Sequence, residues 1–262
     1  MPQTIKELKL AVLIDADNVP YSNVKGMMEE IAKYGTPTTK RIYADWTRSN
    51  AAGWKGVLLE HAITPIQQYS YTMGKNSSDS ALIIDAMDLL YTGKVDGFCI
   101  VSSDSDFTRL AIRLRESGMK VIGMGEKKTP NSLIAACDRF IFLEVLEGAV
   151  PKKKIIKPAV TAAKKPVGIP EKEEKEIVSK VDLKTIELIE STIEAIGDDE
   201  GWAFLGDVGN LIVKKKPEFD PRNYGFNKLT PMLKSMTDIL EIDERDSEKK
   251  GIKHVYVRLR FS

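Results

Sequence analysis

Histidine and cysteine are scarce in this chain of 262 residues, with two of each, and no apolar run approaches the roughly 20 residues of a membrane helix. His61 and His254 lie far apart, so a histidine-based zinc site or a Cys-His-Asn triad is hard to assemble. Cys99, in a strand-like run, and Cys137, in ACDRF, lack metal-ligand spacing and cannot form a disulfide framework; both read as reduced packing residues. The start MPQTIKELKL lacks the charged-then-apolar order of a secretory signal, and the expectation is a soluble, cytoplasmic protein without a membrane partner. Excess charge is missing too: a net charge of +1 excludes an all-basic nucleic-acid coat and an acidic disordered chain. Chemistry is left to carboxylates, hydroxyls and lysines.

The near-zero total hides three segments, with net charges of −1 over residues 1–150, +5 over 151–180 and −3 over 181–262. The middle segment, PKKKIIKPAVTAAKKPVGIPEKEEKEIVSK, has nine lysines, four prolines and no aromatic residue, which is the composition of a linker. It reads as a solvated spacer, or as a cationic tether that keeps a polyanion near both flanking domains.

Residues 1–150 alternate short apolar runs with helical patterns. The strands are expected at Leu10 to Ile14, Arg41 to Ala44, Ile63 to Gln67, Phe98 to Val101, Lys120 to Met124 and Phe140 to Leu143. Helices are expected at Tyr21 to Tyr34, Ala51 to His61, Ser78 to Tyr91, Phe107 to Ser117 and Asn131 to Ala136. Such alternation predicts an α/β sandwich around a mostly parallel sheet of about six strands. In residues 181–262, the stripe Ile186, Ile189, Ile193, Ile196 marks a helix stopped by Gly197. Two further helical stretches and the strand-like pair ILEIDER and KHVYVRLRF complete the pattern of a small winged helix.

In an open parallel sheet, ligands bind beyond the carboxyl ends of the strands, and acids accumulate there. LAVLI ends in Asp15, Ala16, Asp17, Asn18; FCIV ends in Ser102, Ser103, Asp104, Ser105, Asp106. Asp79 opens a helix on the stripe of Leu82, Ile83, Ala86 and Leu90, facing the sheet, whereas Asp88 falls on the opposite face and Asp85 lies between as a reserve. Clustered carboxylates repel unless a cation neutralises them, and a hard divalent ion, Mg²⁺ or Mn²⁺, suits oxygen ligands. Asp15 and Asp104 would also serve as helix N-caps. Lys75, after Gly74 in TMGKNSSD, either holds a phosphate oxygen or is solvated. Ser102 and Thr108 donate at the site or to local backbone; Trp46 stacks on a base or, as is commoner, packs in the core. His61, at a helix end, reads as a surface residue.

LAVLIDADN, KNSSDSALIIDAMDLLY and CIVSSDSDFTRLAIRLRESG together resemble the NYN domain of the PIN-like nuclease superfamily, LabA-like branch, over about residues 8 to 145. The resemblance implies a PIN-like (Rossmannoid) fold and a metal-dependent ribonuclease, and it places catalytic metal-ligand roles on Asp15, Asp79, Asp104 and Asp106 with Asn18 beside the first. Whether Asp17 or Asp85 joins them stays open. AFLGDVGNLIVKKKPEFDPRNYGFNKLTPMLKSM with the following strands resembles a LOTUS domain, also called OST-HTH, over about residues 183 to 262, implying an RNA-binding or protein-binding winged helix. Lys214, Lys215, Lys216 and Arg222 are its candidate RNA contacts, with Lys228 and Lys234 further along, although a charge of −3 argues against a strong electrostatic footprint.

The expected reaction is hydrolysis of an RNA phosphodiester, single-stranded or structured, to a 5′-phosphate and a 3′-hydroxyl. The competing reading is a non-catalytic RNA-dependent adaptor built from the same two domains. A haloacid dehalogenase phosphatase, suggested by Asp15-Ala16-Asp17, fails on the order of its remaining motifs and leaves Asp79 without a task. Homodimerisation is open.

Overall fold

Strand β1 (Lys9–Asp15) carries five consecutive side chains with no solvent exposure, Leu10 to Ile14, as expected for the centre of a parallel sheet covered on both faces. The computed structural model describes residues 7–47, 53–69, 77–146, 181–246 and 253–260. Among these, β1 is followed by a 3₁₀ turn (Tyr21–Asn23), α1 (Val24–Ile31), β2 (Thr36–Ala44), α2 (Trp54–His61), β3 (Thr64–Gln67), α3 (Ser77–Thr92) and β4 (Gly97–Val101). A 3₁₀ turn (Ser105–Phe107), α4 (Thr108–Glu116), β5 (Lys120–Gly125), α5 (Asn131–Ala136) and β6 (Arg139–Phe142) complete the layer structure. The six strands form one parallel sheet in the order β3-β2-β1-β4-β5-β6.

Alternate residues feed two cores. Leu10, Val12 and Ile14 point with Cys99 and Val101 to the face covered by Val24, Met27 and Ile31 of α1 and Trp54 and Leu58 of α2. Ala11 and Leu13 point with Phe98 and Ile100 to the face covered by α3, α4 and α5 through Leu82, Ala86, Leu110, Leu114 and Leu133. Each such aliphatic side chain contributes about 1.5 to 3 kcal/mol by leaving water. Both cysteines are buried packing residues, and burial pushes the Cys137 thiol up to about 12.

Strand β2 starts five residues before the apolar run that marks it, because Thr36 to Lys40 join β1 through ladder pairing and a Thr38 hydroxyl bond to the Leu10 carbonyl, which need no apolar side chains. Pro65 is accommodated in β3, at the sheet's edge.

The described residues form two compact units, one within Met1–Pro151 and one within Lys152–Ser262; the lysine-rich segment 151–180 lies outside the described residues. In the second unit, α6 (Leu183–Ile196) is capped by Asp182, whose Oδ1 accepts from the Thr185 amide at 2.8 Å. It is followed by β7 (Ala203–Phe204), α7 (Leu205–Lys215), a 3₁₀ turn (Pro221–Tyr224), α8 (Leu229–Lys234), β8 (Leu240–Asp246) and β9 (Lys253–Leu259). Ile189, Ile193, Val208, Ile212, Leu233 and Val257 form its core. The expected hairpin gains a third strand, giving the antiparallel order β7-β9-β8. Two residues are too few for β7 to show an alternating pattern in the sequence. No helix among the described residues is long and apolar enough to cross a membrane.

Candidate metal centre

The sheet order reverses between β1 and β4, whose crossovers run to opposite sides, and at this switch point an open α/β sheet leaves a crevice. Register places Ile14 beside Val101, so the acidic tails of the two strands emerge together. Asp15 is 1% exposed and its carboxylate is fully engaged. Oδ2 accepts from Asn18 Nδ2 at 2.6 Å and from Ser102 Oγ at 2.8 Å, and Oδ1 accepts from the Asp17 amide at 3.2 Å. Burial raises its proton affinity, and these bonds only partly offset the rise.

Ser102 links the strand tips. Its buried hydroxyl donates to Asp15 and accepts from the Asp104 amide at 3.1 Å, while Asp104 Oδ1 accepts from the Asp106 amide at 2.9 Å and caps the 3₁₀ turn. Asp104 therefore does what the capping expectation described, with Oδ1 used in that way. From the other side of the crevice, α3 brings Asp79 in its first turn, held against the sheet by Leu82 and Ala86. One carboxylate oxygen from each of Asp79, Asp104 and Asp106 lies within 4.8 Å of the other two, and burial falls from Asp79 to Asp106.

Asp79 is pushed up to about 6, first by burial and then by the charges of Asp15, Asp104, Asp106 and Asp17. A hard cation bonded to oxygens at roughly 2.0 to 2.6 Å would fit among three oxygens so spaced and would relieve that repulsion. The donor set thus suits Mg²⁺ or Mn²⁺. Asp15 stands outside this trio, close enough to act on Asp79 by charge.

Several candidates are used differently from the sequence expectation. Ser102 donates its hydroxyl proton to Asp15, and Asn18, expected beside Asp15, donates one amide N–H to the same carboxylate oxygen. Asp85 takes a bond from Tyr43 Oη at 2.7 Å and pairs with Arg41 at 2.8 Å, since β2 rather than the crevice lies opposite it. Asp17 is exposed, as is Asp88. Thr108 Oγ1 donates to Ser132 Oγ at 3.5 Å. Trp46 packs on the first core, with Nε1 donating to the Ile66 carbonyl at 2.9 Å, so its ring is a structural one. His61 sits half-buried in the last turn of α2, and Lys75 lies outside the described residues. The sequence carried no signal for Gly125, at the end of β5, which packs directly on the Ser102 backbone.

In the second unit the basic run is partly consumed. Lys215 Nζ donates to Thr192 Oγ1 at 3.1 Å, and Lys216 Nζ donates to Thr185 Oγ1 at 3.1 Å. Arg222 forms a fork with Asp220, Nε to Oδ1 at 3.0 Å and Nη2 to Oδ2 at 2.7 Å, and Lys234 pairs with Glu244. Lys214, Lys215, Lys228 and Lys234 are all exposed, and of these Lys214 and Lys228 have no side-chain partner among the described residues. Arg222→Ala, which removes a quarter-exposed cation and two hydrogen bonds from the 4% exposed Asp220, is expected to destabilise the second unit by about 1 to 3 kcal/mol while leaving the first unit's unfolding transition in place. Two-transition calorimetry reads this; an unchanged second transition would show the pair to be dispensable.

Comparison with known families finds the NYN domain over residues 9–144 and the OST-HTH/LOTUS domain over residues 176–252. No curated protein matches the chain significantly. Among solved structures, the crystal structure of a protein of unknown function from Vibrio parahaemolyticus aligns at 21% identity over 53% of this chain and 95% of its own, with a TM-score of 0.45. The solution structure of an uncharacterized protein from Nitrosomonas europaea aligns at 27% identity over 41% of this chain and 94% of its own, with a TM-score of 0.29.

Proposed function

Because the chain belongs to the NYN domain family, part of the PIN-like nuclease superfamily, and carries an OST-HTH/LOTUS domain behind it, we propose that it is a metal-dependent ribonuclease. The observation that carries this reading is the trio of Asp79, Asp104 and Asp106, its oxygens within 4.8 Å, at the sheet's switch point. These three would hold Mg²⁺ or Mn²⁺. When bound, such an ion supplies charge stabilisation to the phosphoryl and leaving oxygens. Asp15, fixed by Asn18 and Ser102, keeps the two strand tips in register and adds negative charge that favours the cation. Asp104 sets the Asp106 amide and so fixes the turn on which both carboxylates are carried. In the reaction, water oxygen bonds to phosphorus and loses a proton as the bond from phosphorus to the 3′ oxygen breaks, and the leaving 3′ oxygen takes up a proton, giving a 5′-phosphate and a 3′-hydroxyl. The second unit, joined through the cationic segment 151–180, supplies RNA or partner binding, with Lys214 and Lys228 as its free cations; domain limits of 1–150 and 181–262 go with this reading.

The test compares wild type with Asp104→Asn on labelled single-stranded RNA in Mn²⁺ or Mg²⁺. Cleavage by wild type and a loss of at least a hundredfold in the variant are expected. Equal cleavage by both would identify a contaminant and remove the assignment. Metal-induced stabilisation of wild type without any cleavage would favour the adaptor.

A further inference from the structure

The ring that a nucleobase needs at this edge is absent from Trp46, whose indole is packed and hydrogen-bonded, and present at Tyr21. Tyr21 opens the 3₁₀ turn six residues after Asp15. Two tight turns, Asn18 amide to Asp15 carbonyl at 3.3 Å and Asn23 amide to Pro20 carbonyl at 3.1 Å, shape the loop that leaves the tip of β1. Its side chain is 51% exposed yet not loose. The ring stands edge-on to Trp54 at 6.3 Å and 70°, and Trp54 is itself 5% exposed and part of the first core. On another side it lies against Gly53, where a Cβ would come within 2.9 Å of Tyr21 Cε1. Gly53 has φ of −66°, a backbone that any residue adopts, and the three nearest atoms to that Cβ all belong to the Tyr21 ring. The glycine is thus explained by the tyrosine.

Placement gives the ring a direction of use. Asp79, Asp104 and Asp106 rise on the side of the sheet covered by α3 and α4, whereas Tyr21 and Trp54 rise on the side covered by α1 and α2. An RNA strand laid across the edge, its phosphate at the acids, would cross from one helix layer to the other and pass Tyr21. Tyr69, though 56% exposed, follows the edge strand β3, two strands from β1, and has no ring contact among the described residues.

Resting on the ribonuclease reading, we propose that Tyr21 is a substrate-positioning residue that stacks on one base of single-stranded RNA beside the bond to be cleaved. Stacking on an aromatic ring is worth about 1 to 3 kcal/mol per base and tolerates every base, so the site fixes position without choosing sequence. The ring touches no reacting atom, so the effect falls on KM.

The experiment uses the full chain in Mn²⁺ with a single-stranded RNA hexamer. Tyr21→Ala is expected to raise KM about tenfold with kcat within about twofold, and Tyr21→Phe to restore KM. Gly53→Ala, which displaces the ring with Tyr21 still present, should also raise KM. In a set of hexamers each lacking one base, a single position should give equal KM for wild type and Tyr21→Ala. Unchanged KM in Tyr21→Ala, or a rise of the same size on every abasic hexamer, overturns the proposal while leaving the ribonuclease intact. Should wild type cleave nothing, the ribonuclease reading falls, and stacking is read directly from a hexamer carrying 2-aminopurine. Quenching by wild type and not by Tyr21→Ala supports Tyr21 as a base platform, and equal quenching overturns it.

Discussion

Asp79→Asn is expected to raise the melting temperature of the metal-free protein at pH 7.5 and to abolish the further rise that Mn²⁺ gives the wild type. Asp79 is 8% exposed and held at about 6, against an ordinary value of 3.8. The folded state therefore keeps the proton to higher pH than the unfolded chain. Stability from this group is full below pH 3.8, falls as pH rises towards 6, and above 6 the whole cost of an ionised, crowded carboxylate is present. That cost is at most roughly 3 kcal/mol by the size of the shift. Against it, an acid in the first turn of α3 favours the helix by about 0.3 to 1 kcal/mol, which asparagine forfeits. The repulsion wins, so the variant should melt several degrees higher at pH 7.5 and show little or no gain at pH 4. The same neutralisation removes a ligand, so the Mn²⁺-dependent shift and RNA cleavage should both be lost. A lower melting temperature at pH 7.5, or a wild-type response to Mn²⁺, would show that Asp79 is not part of a repelling, cation-seeking group.

A residue with no polar side chain should matter nearly as much. In Gly125→Ala the new Cβ would lie 2.6 Å from the Ser102 carbonyl oxygen, 2.7 Å from Thr129 Oγ1 and 3.1 Å from Phe140 Cζ. The carbonyl is backbone, tied by the Ser102 amide to the Met124 carbonyl at 2.9 Å, and cannot swing aside as a flexible side chain would. Overpacking of this kind costs about 1 to 3 kcal/mol. What gives way is the tip of β4, and with it the serine that joins Asp15 to Asp104. A displacement of about 1 Å in a positioned group can cost a hundredfold in rate, so a fall of tenfold or more in kcat is expected. Gly56→Ala is the control: nothing lies within 4 Å of its Cβ, and alanine within α2 should be neutral or stabilising with unchanged cleavage. Wild-type kcat in Gly125→Ala, measured on protein shown to be folded, would disconnect β5 from the site.

The alternation of apolar runs with helical stripes was enough to locate the six strands of the first unit, because a buried parallel strand needs consecutive apolar residues and a covering helix needs a stripe. It was also enough to place acids at strand ends and to turn Asp79 towards the sheet, since Leu82 and Ala86 share its face. Where pairing runs through backbone, as in Thr36 to Lys40 of β2, or through two residues, as in β7, no side-chain pattern existed to be read.

Strand order was decided by tertiary structure alone. Nothing local indicates that β1 lies beside β4, yet that neighbourhood brings Ser102 to Asp15 across 87 residues and creates the switch point where Asp79, Asp104 and Asp106 meet. The partners of polar groups were decided in the same way. A sequence lists donors and acceptors, but who stands opposite each depends on packing. Packing paired Asp85 with Arg41, Lys215 with Thr192 and Lys216 with Thr185, and packed Trp46 into the core while leaving Tyr21 exposed. Local periodicity is a property of a few neighbouring residues, which the sequence contains; long-range pairing is a choice among many registers, and only the folded sheet and its two helix layers settle it.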